Sequence, residues 1–311
     1  MSEVVTHKLT PLEGGTVGSL VDAGARLLDA AGVSFGHGTT NAQDEAAWLV
    51  LWRLGLPLDT PLDDGPQSLR NQPVTPANKA LVATLFEERI TTRKPAAYLT
   101  QEAWLQGVPF YVDERAIVPR SLIAELIAEG GVDAFLSEHT HRVLDLCTGN
   151  GSLAVLAAMA WPDVAVTGAD ISSEALAVAH INVMKHGLQD RIALVPSDGL
   201  AAVPGPWDLV ICNPPYVNAQ SMQGLPPEYL AEPELALAGG SDGMDFIRCL
   251  LRDLPENLSE DGALLLEIGN ERAHFEAAFP HLPVFWLDTS AGADQVLLIT
   301  QAALRGGAGL R

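Results

Sequence analysis

Positive charge is scarce in this chain of 311 residues: 18 Lys and Arg stand against 39 Asp and Glu, a formal charge of −21. Such a chain lacks the clustered cations that neutralise nucleic-acid phosphates, so stable binding to DNA or RNA is not expected. A basic partner suits that charge, as does simple solubility. Cysteine is also scarce, with only Cys147, Cys212 and Cys249. Their odd number and the lack of any Cys-x-x-Cys or Cys/His ligand spacing argue against a disulfide framework and a structural zinc, and no metal is expected. No apolar run approaches the roughly 20 residues of a membrane span; Arg53 interrupts the best stretch. The opening MSEVVTHKLT has no apolar core of a signal peptide and carries an acid, which makes the cytoplasm the expected location. There is no internal repeat and no low-complexity tract.

What is present is a globular composition, 48% hydrophobic and 18% charged, on a chain long enough for two domains at about 150 residues each. The first part reads as helices. Leu20, Ala23, Leu27, Leu28 and Ala31 recur at helical spacing, as do Ala46, Leu49, Val50 and Trp52. A loop rich in Pro, Asp and Gly runs from Pro57 to Pro76, and a third helix follows from about Asn78 to Ile90. Nothing catalytic stands out there. Ala103-Trp-Leu105 and Phe110-Tyr-Val112 around Gln106-Gly107 read as a β-hairpin. Pro119 ends it, and Ser121 is positioned to cap a helix over Leu122 to Glu129. The expected domains are thus a helical one at 1–96 that recognises substrate, a hairpin linker at 97–120, and a larger domain at 121–311.

The larger domain alternates strand and helix. Strands are expected at Arg142–Cys147, Val164–Asp170, Ile192–Pro196, Asp208–Asn213, Ala263–Ile268, Val284–Leu287 and Gln295–Ile299. Helices fit at Ser152–Ala160, Ser173–His186, Asp242–Leu254 and Glu271–Phe279. Short apolar strands separated by helices indicate an α/β fold with a mostly parallel sheet covered on both faces. The short connection Asp288–Asp294 makes the last two strands antiparallel neighbours, so the sheet is mixed and about seven-stranded.

Asp145-Leu-Cys-Thr-Gly149-Asn-Gly151-Ser-Leu-Ala154 lies where the first of these strands meets a helix. Glycines there let a ligand approach the backbone, and the helix N-terminus offers unpaired N–H groups. Gly149-x-Gly151-x-x-Ala154 satisfies the dinucleotide fingerprint as well, so by itself the loop suits either a nicotinamide cofactor or S-adenosylmethionine. Asp170 ends the second strand, 19 residues beyond Gly151, where a carboxylate can accept from two ribose hydroxyls. A strand-end Asp followed by Ser172 is also commonly just a helix cap. Asp145 is placed to help bind a cationic methionine end, and Asp198, after Ser197, to accept from an adenine amino group. Asn213-Pro214-Pro215-Tyr216 decides between the cofactors. At a strand's carboxyl end it meets the ligand crevice of an open α/β sheet. Two prolines remove two backbone donors and stiffen the turn. The Asn oxygen and a nearby carbonyl then match both hydrogens of a planar NH2 group, with Tyr216 as a flat face to pack it on.

These two motifs resemble those of class I S-adenosylmethionine-dependent methyltransferases acting on planar nitrogens. The wider pattern is similar to the bacterial protein-glutamine methyltransferases over about residues 90 to 300. It is carried by Pro95-Ala-Ala-Tyr-Leu99, Phe110-Tyr-Val-Asp-Glu-Arg-Ala-Ile-Val-Pro-Arg-Ser121, Leu225-Pro-Pro-Glu-Tyr229, Glu232-Pro-Glu-Leu235 and Ser241-Asp-Gly243. Cys147, where the release-factor branch usually has Gly, and Val-Pro-Arg-Ser at 118–121 point to the branch that modifies large-subunit ribosomal protein number three. The resemblance implies a Rossmann-like class I fold and S-adenosyl-L-methionine as donor, with S-adenosyl-L-homocysteine as product. It implies a cofactor site at Asp145, Cys147, Thr148, Gly149, Asn150, Gly151, Asp170, Ile171, Asp198 and Asn213. It also implies an acceptor site at Asn213, Pro214, Pro215 and Tyr216, with Asn213, Pro214 and Tyr216 catalytic, and a basic ribosomal protein as partner. Release-factor methylation at a Gly-Gly-Gln loop is the alternative. An adenine-amino nucleic-acid methyltransferase shares the Asn-Pro-Pro-Tyr turn but is disfavoured by the charge. A nicotinamide oxidoreductase leaves that turn unexplained, and a non-catalytic binding module has no missing site residue to recommend it. His180 and His186 read as structural or solvated.

Overall fold

The computed structural model describes residues 12–306; the reading of the first ten residues and the end of the last expected domain lie outside them. The chain divides into two compact units. One comprises the helical start through Gln101 together with Pro226–Ala231, and the other comprises Glu102–Leu225 and the chain from Glu232 onward.

The helical unit holds α1 (Val17–Ala30), α2 (Ala42–Leu54), α3 (Pro76–Thr92) and a short α4 (Ala96–Thr100) that the pattern did not reveal. Side chains begin each of the three long helices: Thr16 with Ser19 in a capping box, Asn41, and Thr75 followed by Pro76. That Thr-Pro start puts α3 two residues ahead of the expected Asn78. Leu20, Val21 and Leu28 of α1 and Leu49, Val50, Val82 and Phe86 of α2 and α3 form the buried faces. Within this packing Arg89 is only 1% exposed. Its Nε donates to Glu45 Oε1 at 2.8 Å and its Nη2 to the Ser34 carbonyl at 3.1 Å. Its Nη1 donates to Glu228 Oε1 at 3.4 Å, and Arg93 Nε stands 2.9 Å from the same oxygen. Glu228 belongs to Pro226–Ala231, whose Tyr229 ring packs on His37 at 4.4 Å between centroids. Burial pushes the Glu45 carboxyl up, with Arg89 opposing.

The sheet unit opens on the hairpin β1 (Ala103–Leu105) and β2 (Val108–Phe110). Gln106 and Gly107 both have positive φ, 50° and 74°, the left-handed pair that matches strand twist in a two-residue turn. The return strand therefore starts at Val108 and not at the expected Phe110. It stops at Phe110 because Asn182 takes both backbone groups of Tyr111, accepting from its N–H at 2.7 Å and donating to its carbonyl at 2.9 Å. Leu105 and Phe110 are buried in the core of the sheet unit, so the hairpin packs with the sheet. Next come α5 (Ile123–Ala128), β3 (Arg142–Leu146), α6 (Ser152–Ala160), β4 (Ala165–Asp170), α7 (Ser173–Lys185), β5 (Ile192–Pro196) and β6 (Trp207–Cys212). Then follow β7 (Leu258–Glu267), β8 (Phe285–Thr289) and β9 (Gly292–Thr300), with helices Asp245–Asp253 and Arg272–Ala278 on either side of β7 in sequence. Ser121 is not the N-cap of α5: Leu122 holds that position, and the Ser121 hydroxyl donates to Glu267 while accepting from Ile123 N–H.

The strand order is β5-β4-β3-β6-β7-β9-β8, parallel up to β7 and antiparallel at β9 and β8. This is the mixed seven-stranded α/β sheet expected. Alternate residues feed two cores: Val143, Leu209, Ile211, Leu265 and Leu298 pack with α5, α6 and α7. Leu144, Val210, Leu264, Leu266 and Leu297 pack with the helices at Asp245–Asp253 and Arg272–Ala278. The chain leaves β3 towards β4 on one side and returns to β6 on the other. A crevice therefore opens at the carboxyl ends of β3 and β6.

Candidate active site

A cavity of about 280 Å³ lies at that switch point. Its wall includes Cys147, Thr148, Gly149, Asn150, Asp170, Ile171, Asp198, Asn213 and Pro215. The sheet brings the two motifs together: pairing of Leu146 with Cys212 in parallel register sets the two strand ends, and hence Cys147 and Asn213, side by side.

The glycine loop is held from several directions. Gly151 has φ 79°, and a Cβ there would come within 3.0 Å of the Ala179 side chain, so α7 can approach only a glycine. Gly149 N–H donates to Asp170 Oδ2 at 2.9 Å, and Ser172 N–H to Asp170 Oδ1 at 2.9 Å. Asp170 thus ties the glycine loop to the start of α7, whose N-cap is Ser172, and stands on the cavity wall as well. Burial raises its carboxyl from the usual range. Cys147 has φ 61°, a left-handed conformation that glycine adopts more readily.

Asp145 is fully buried and is not on the cavity wall where contact with a donor was expected. Its Oδ2 accepts from the Thr148 hydroxyl at 2.5 Å and Ala154 N–H at 2.9 Å, bracing the loop against the first turn of α6. Burial pushes its carboxyl up to about 7, against the lowering effect of those two bonds. Asp145 Oδ1 and Asn150 Nδ2 are buried without hydrogen-bond partners among the described residues. Of these two residues only Asn150 lines the cavity.

In the turn after β6, Asn213 and Pro215 line the cavity, whereas Pro214 is buried and Tyr216 half-buried, both off its wall. The Tyr216 hydroxyl donates to Glu267 Oε1 at 3.4 Å. His180 is exposed, and His186 Nε2 lies 3.0 Å from the Pro109 carbonyl, a structural position. Three positioning side chains escaped sequence reasoning. Asn182, wholly buried, donates to the Asn150 carbonyl as well as binding Tyr111. Glu232 accepts from the Arg120 guanidinium at 2.6 and 2.8 Å and from Val118 N–H at 2.9 Å. Glu267 accepts from Ser121 and Leu122. A polar residue on the apolar face of a helix, in line with Ala175, Val178 and Ala179, was the available signal for Asn182, and a carboxylate ending an apolar strand for Glu267.

This fold, with a glycine loop and an Asn-Pro-Pro-Tyr turn sharing one cavity, defines a class I methyltransferase whose cofactor is S-adenosylmethionine. A family model described as methyltransferase small domain matches residues 131–232. The chain is 50% identical over 291 residues to the ribosomal protein uL3 glutamine methyltransferase of Bordetella pertussis, covering 93% of this chain and 96% of that one. It is 47% identical to the protein of that name from Burkholderia pseudomallei, over 98% of this chain and 100% of that one. For the Neisseria meningitidis protein the identity is 46%, over 89% and 90%. The chain belongs to the family of ribosomal protein uL3 glutamine methyltransferases. Among the described residues, no helix is long and apolar enough to cross a membrane.

Proposed function

We propose that this enzyme methylates the side-chain amide nitrogen of a glutamine in large-subunit ribosomal protein uL3. The observation that carries the reading is the shared cavity, in which Asn213 lines the same space as Gly149, Asp170 and Asp198. S-adenosylmethionine supplies an electrophilic methyl group on a cationic sulfur. The residues proposed to hold it are the loop from Cys147 to Gly151 with Asp145 behind it, Asp170 and Ile171 at the ribose and adenine, and Asp198 at the adenine amino group. An amide nitrogen is a poor nucleophile because its lone pair is delocalised into the carbonyl. The Asn213 oxygen and the Pro214 carbonyl accept its two hydrogens and favour a more tetrahedral nitrogen. Those bonds strengthen as positive charge builds there, which is the differential stabilisation that catalysis needs. Fixing the nitrogen about 3 Å from the methyl carbon adds an entropic advantage of several kcal/mol. The surplus proton leaves after transfer, so no strong base is required beforehand.

Asp170→Ala is expected to weaken donor binding by about 1.5–3 kcal/mol, the size of lost charge-assisted hydrogen bonds. Calorimetry would show this as a dissociation constant raised between about tenfold and 150-fold; an unchanged constant removes Asp170 from the donor site.

The acceptor is the free basic protein in the cytoplasm, before or early in ribosome assembly. A chain of charge −21 attracts a cationic protein and is repelled by RNA phosphates, which also disfavours stable nucleic-acid binding. Competition between free uL3 and a release factor with a Gly-Gly-Gln loop, followed by mass mapping of the methylated residue, tests the reading. Free uL3 should win. Its capture should slow as salt rises, because exposed charges are screened over about 8–10 Å near physiological ionic strength. A preference for the release factor would move the chain to the other acceptor, and a preference for assembled subunits would remove the electrostatic argument.

A further inference from the structure

Glu267 is the last residue of β7, one step beyond the Cys212–Leu266 register pair that aligns β7 with β6. It ends its strand next to the strand that delivers Asn213. Its side chain is 4% exposed, yet its hydrogen-bond donors among the described residues are all neutral. Oε2 accepts from the Ser121 hydroxyl at 2.5 Å and from Leu122 N–H at 2.9 Å, and Oε1 accepts from the Tyr216 hydroxyl at 3.4 Å. Burial raises its carboxyl, while these donors lower it. A buried carboxylate with no cation is costly, and an apolar side chain would fill the space more cheaply. What the carboxylate uniquely does is join two segments that share no backbone pairing. One is the strap 117–121, of which Ile117, Pro119, Arg120 and Ser121 line the donor cavity. The other is the Asn213–Tyr216 turn. The strap's opposite end is held by Glu232 through Val118 and Arg120. The Tyr216 ring is confined as well: a Cβ on Gly269 would come within 2.6 Å of its Cε2.

We propose that Glu267 is a positioning residue for methyl transfer, tethering the acceptor turn, through Tyr216, to the strap that walls the donor cavity. The proposal rests on the amide-methylation reading of that turn. Asn213 presents its side chain correctly only if the turn keeps its place relative to the donor, and a misplacement of about 1 Å can cost a hundredfold in rate. Glu267→Gln keeps the shape but replaces one acceptor oxygen by an NH2 group that faces donors.

With saturating donor and acceptor, Glu267→Gln should lower kcat at least about tenfold, with the donor dissociation constant within about twofold of wild type. Tyr216→Phe keeps the packed ring and removes only the hydroxyl, so it should lower kcat in the same way. The double variant should be no slower than the slower single one, since both cut one tether. Multiplicative losses, an unchanged kcat in either variant, or donor affinity falling in step with kcat would overturn the proposal. Hydrogen exchange reads the tether without any acceptor. Peptides over 118–122 and 213–216 should gain exchange together in Glu267→Gln, and a gain in one alone refutes the tether. Wild-type enzyme inactive on glutamine acceptors would instead sink the functional reading, leaving the exchange result to judge Glu267.

Discussion

Asn213→Ala should reduce turnover at least about a hundredfold while leaving donor affinity much less changed. The loss corresponds to about 2.7 kcal/mol or more, as expected when one oriented hydrogen-bond partner of a transition state is removed. Asn213 shares its cavity with the donor loop, but the proposed contact with the acceptor nitrogen tightens only as charge develops on it. The cost therefore falls on kcat and kcat/KM together and not on binding. Single-turnover methylation with labelled donor, beside calorimetry of donor binding, separates the two. Turnover near wild type, or a loss of donor affinity as large as the loss of rate, would show that Asn213 does something else.

Arg89→Ala should cost the helical unit about 3–5 kcal/mol, because removing one partner of a buried ion pair strands the others. Glu45 and Glu228 are each 1% exposed or less, and both are held by this guanidinium. Arg93 stays near Glu228, but Glu45 keeps only the neutral Thr39 hydroxyl, at 3.2 Å, as a hydrogen-bond donor. Urea unfolding, with hydrogen exchange of α2 and α3 amides to identify the unit that opens, measures the loss. Arg70→Ala is the control: its pair with Asp22 is about one-third exposed on both sides, and such pairs contribute under about 1 kcal/mol. Donor affinity should stay within about twofold in Arg89→Ala, since every cavity-lining residue belongs to the sheet unit. Equal effects of the two substitutions would mean that the Arg89 network carries little stability.

Much of the site was legible because its two motifs are short and local. Gly149 and Gly151 mark positive φ within one loop, and the two prolines of Asn213–Tyr216 announce a rigid turn. The alternation of strand and helix was legible for the same reason: each element declares its own period, and six of the seven strands lie within three residues of the expected bounds, while β7 starts at Leu258, five residues ahead of Ala263. Two of the misplaced features depended on distant partners. Strand β2 ends at Phe110 because Asn182, 71 residues away, takes the backbone of Tyr111. Ser121 reads as a helix cap, yet its hydroxyl is claimed by Glu267 at a separation of 146 residues.

The amino-acid sequence by itself determined the α/β class, the glycine loop and the Asn-Pro-Pro-Tyr turn, because backbone preference and hydrophobic period act over a few residues. Tertiary structure alone decided that Asp145 braces the loop from a buried position, that Tyr216 reaches Glu267 and not the cavity wall, and that Pro226–Ala231 packs with the helices through Glu228. Each of these depends on which polar group a buried side chain finds when water is removed. A buried carboxylate or hydroxyl must be satisfied by whatever the fold brings within about 3 Å. Sequence spacing carries no record of a partner that lies a hundred residues away.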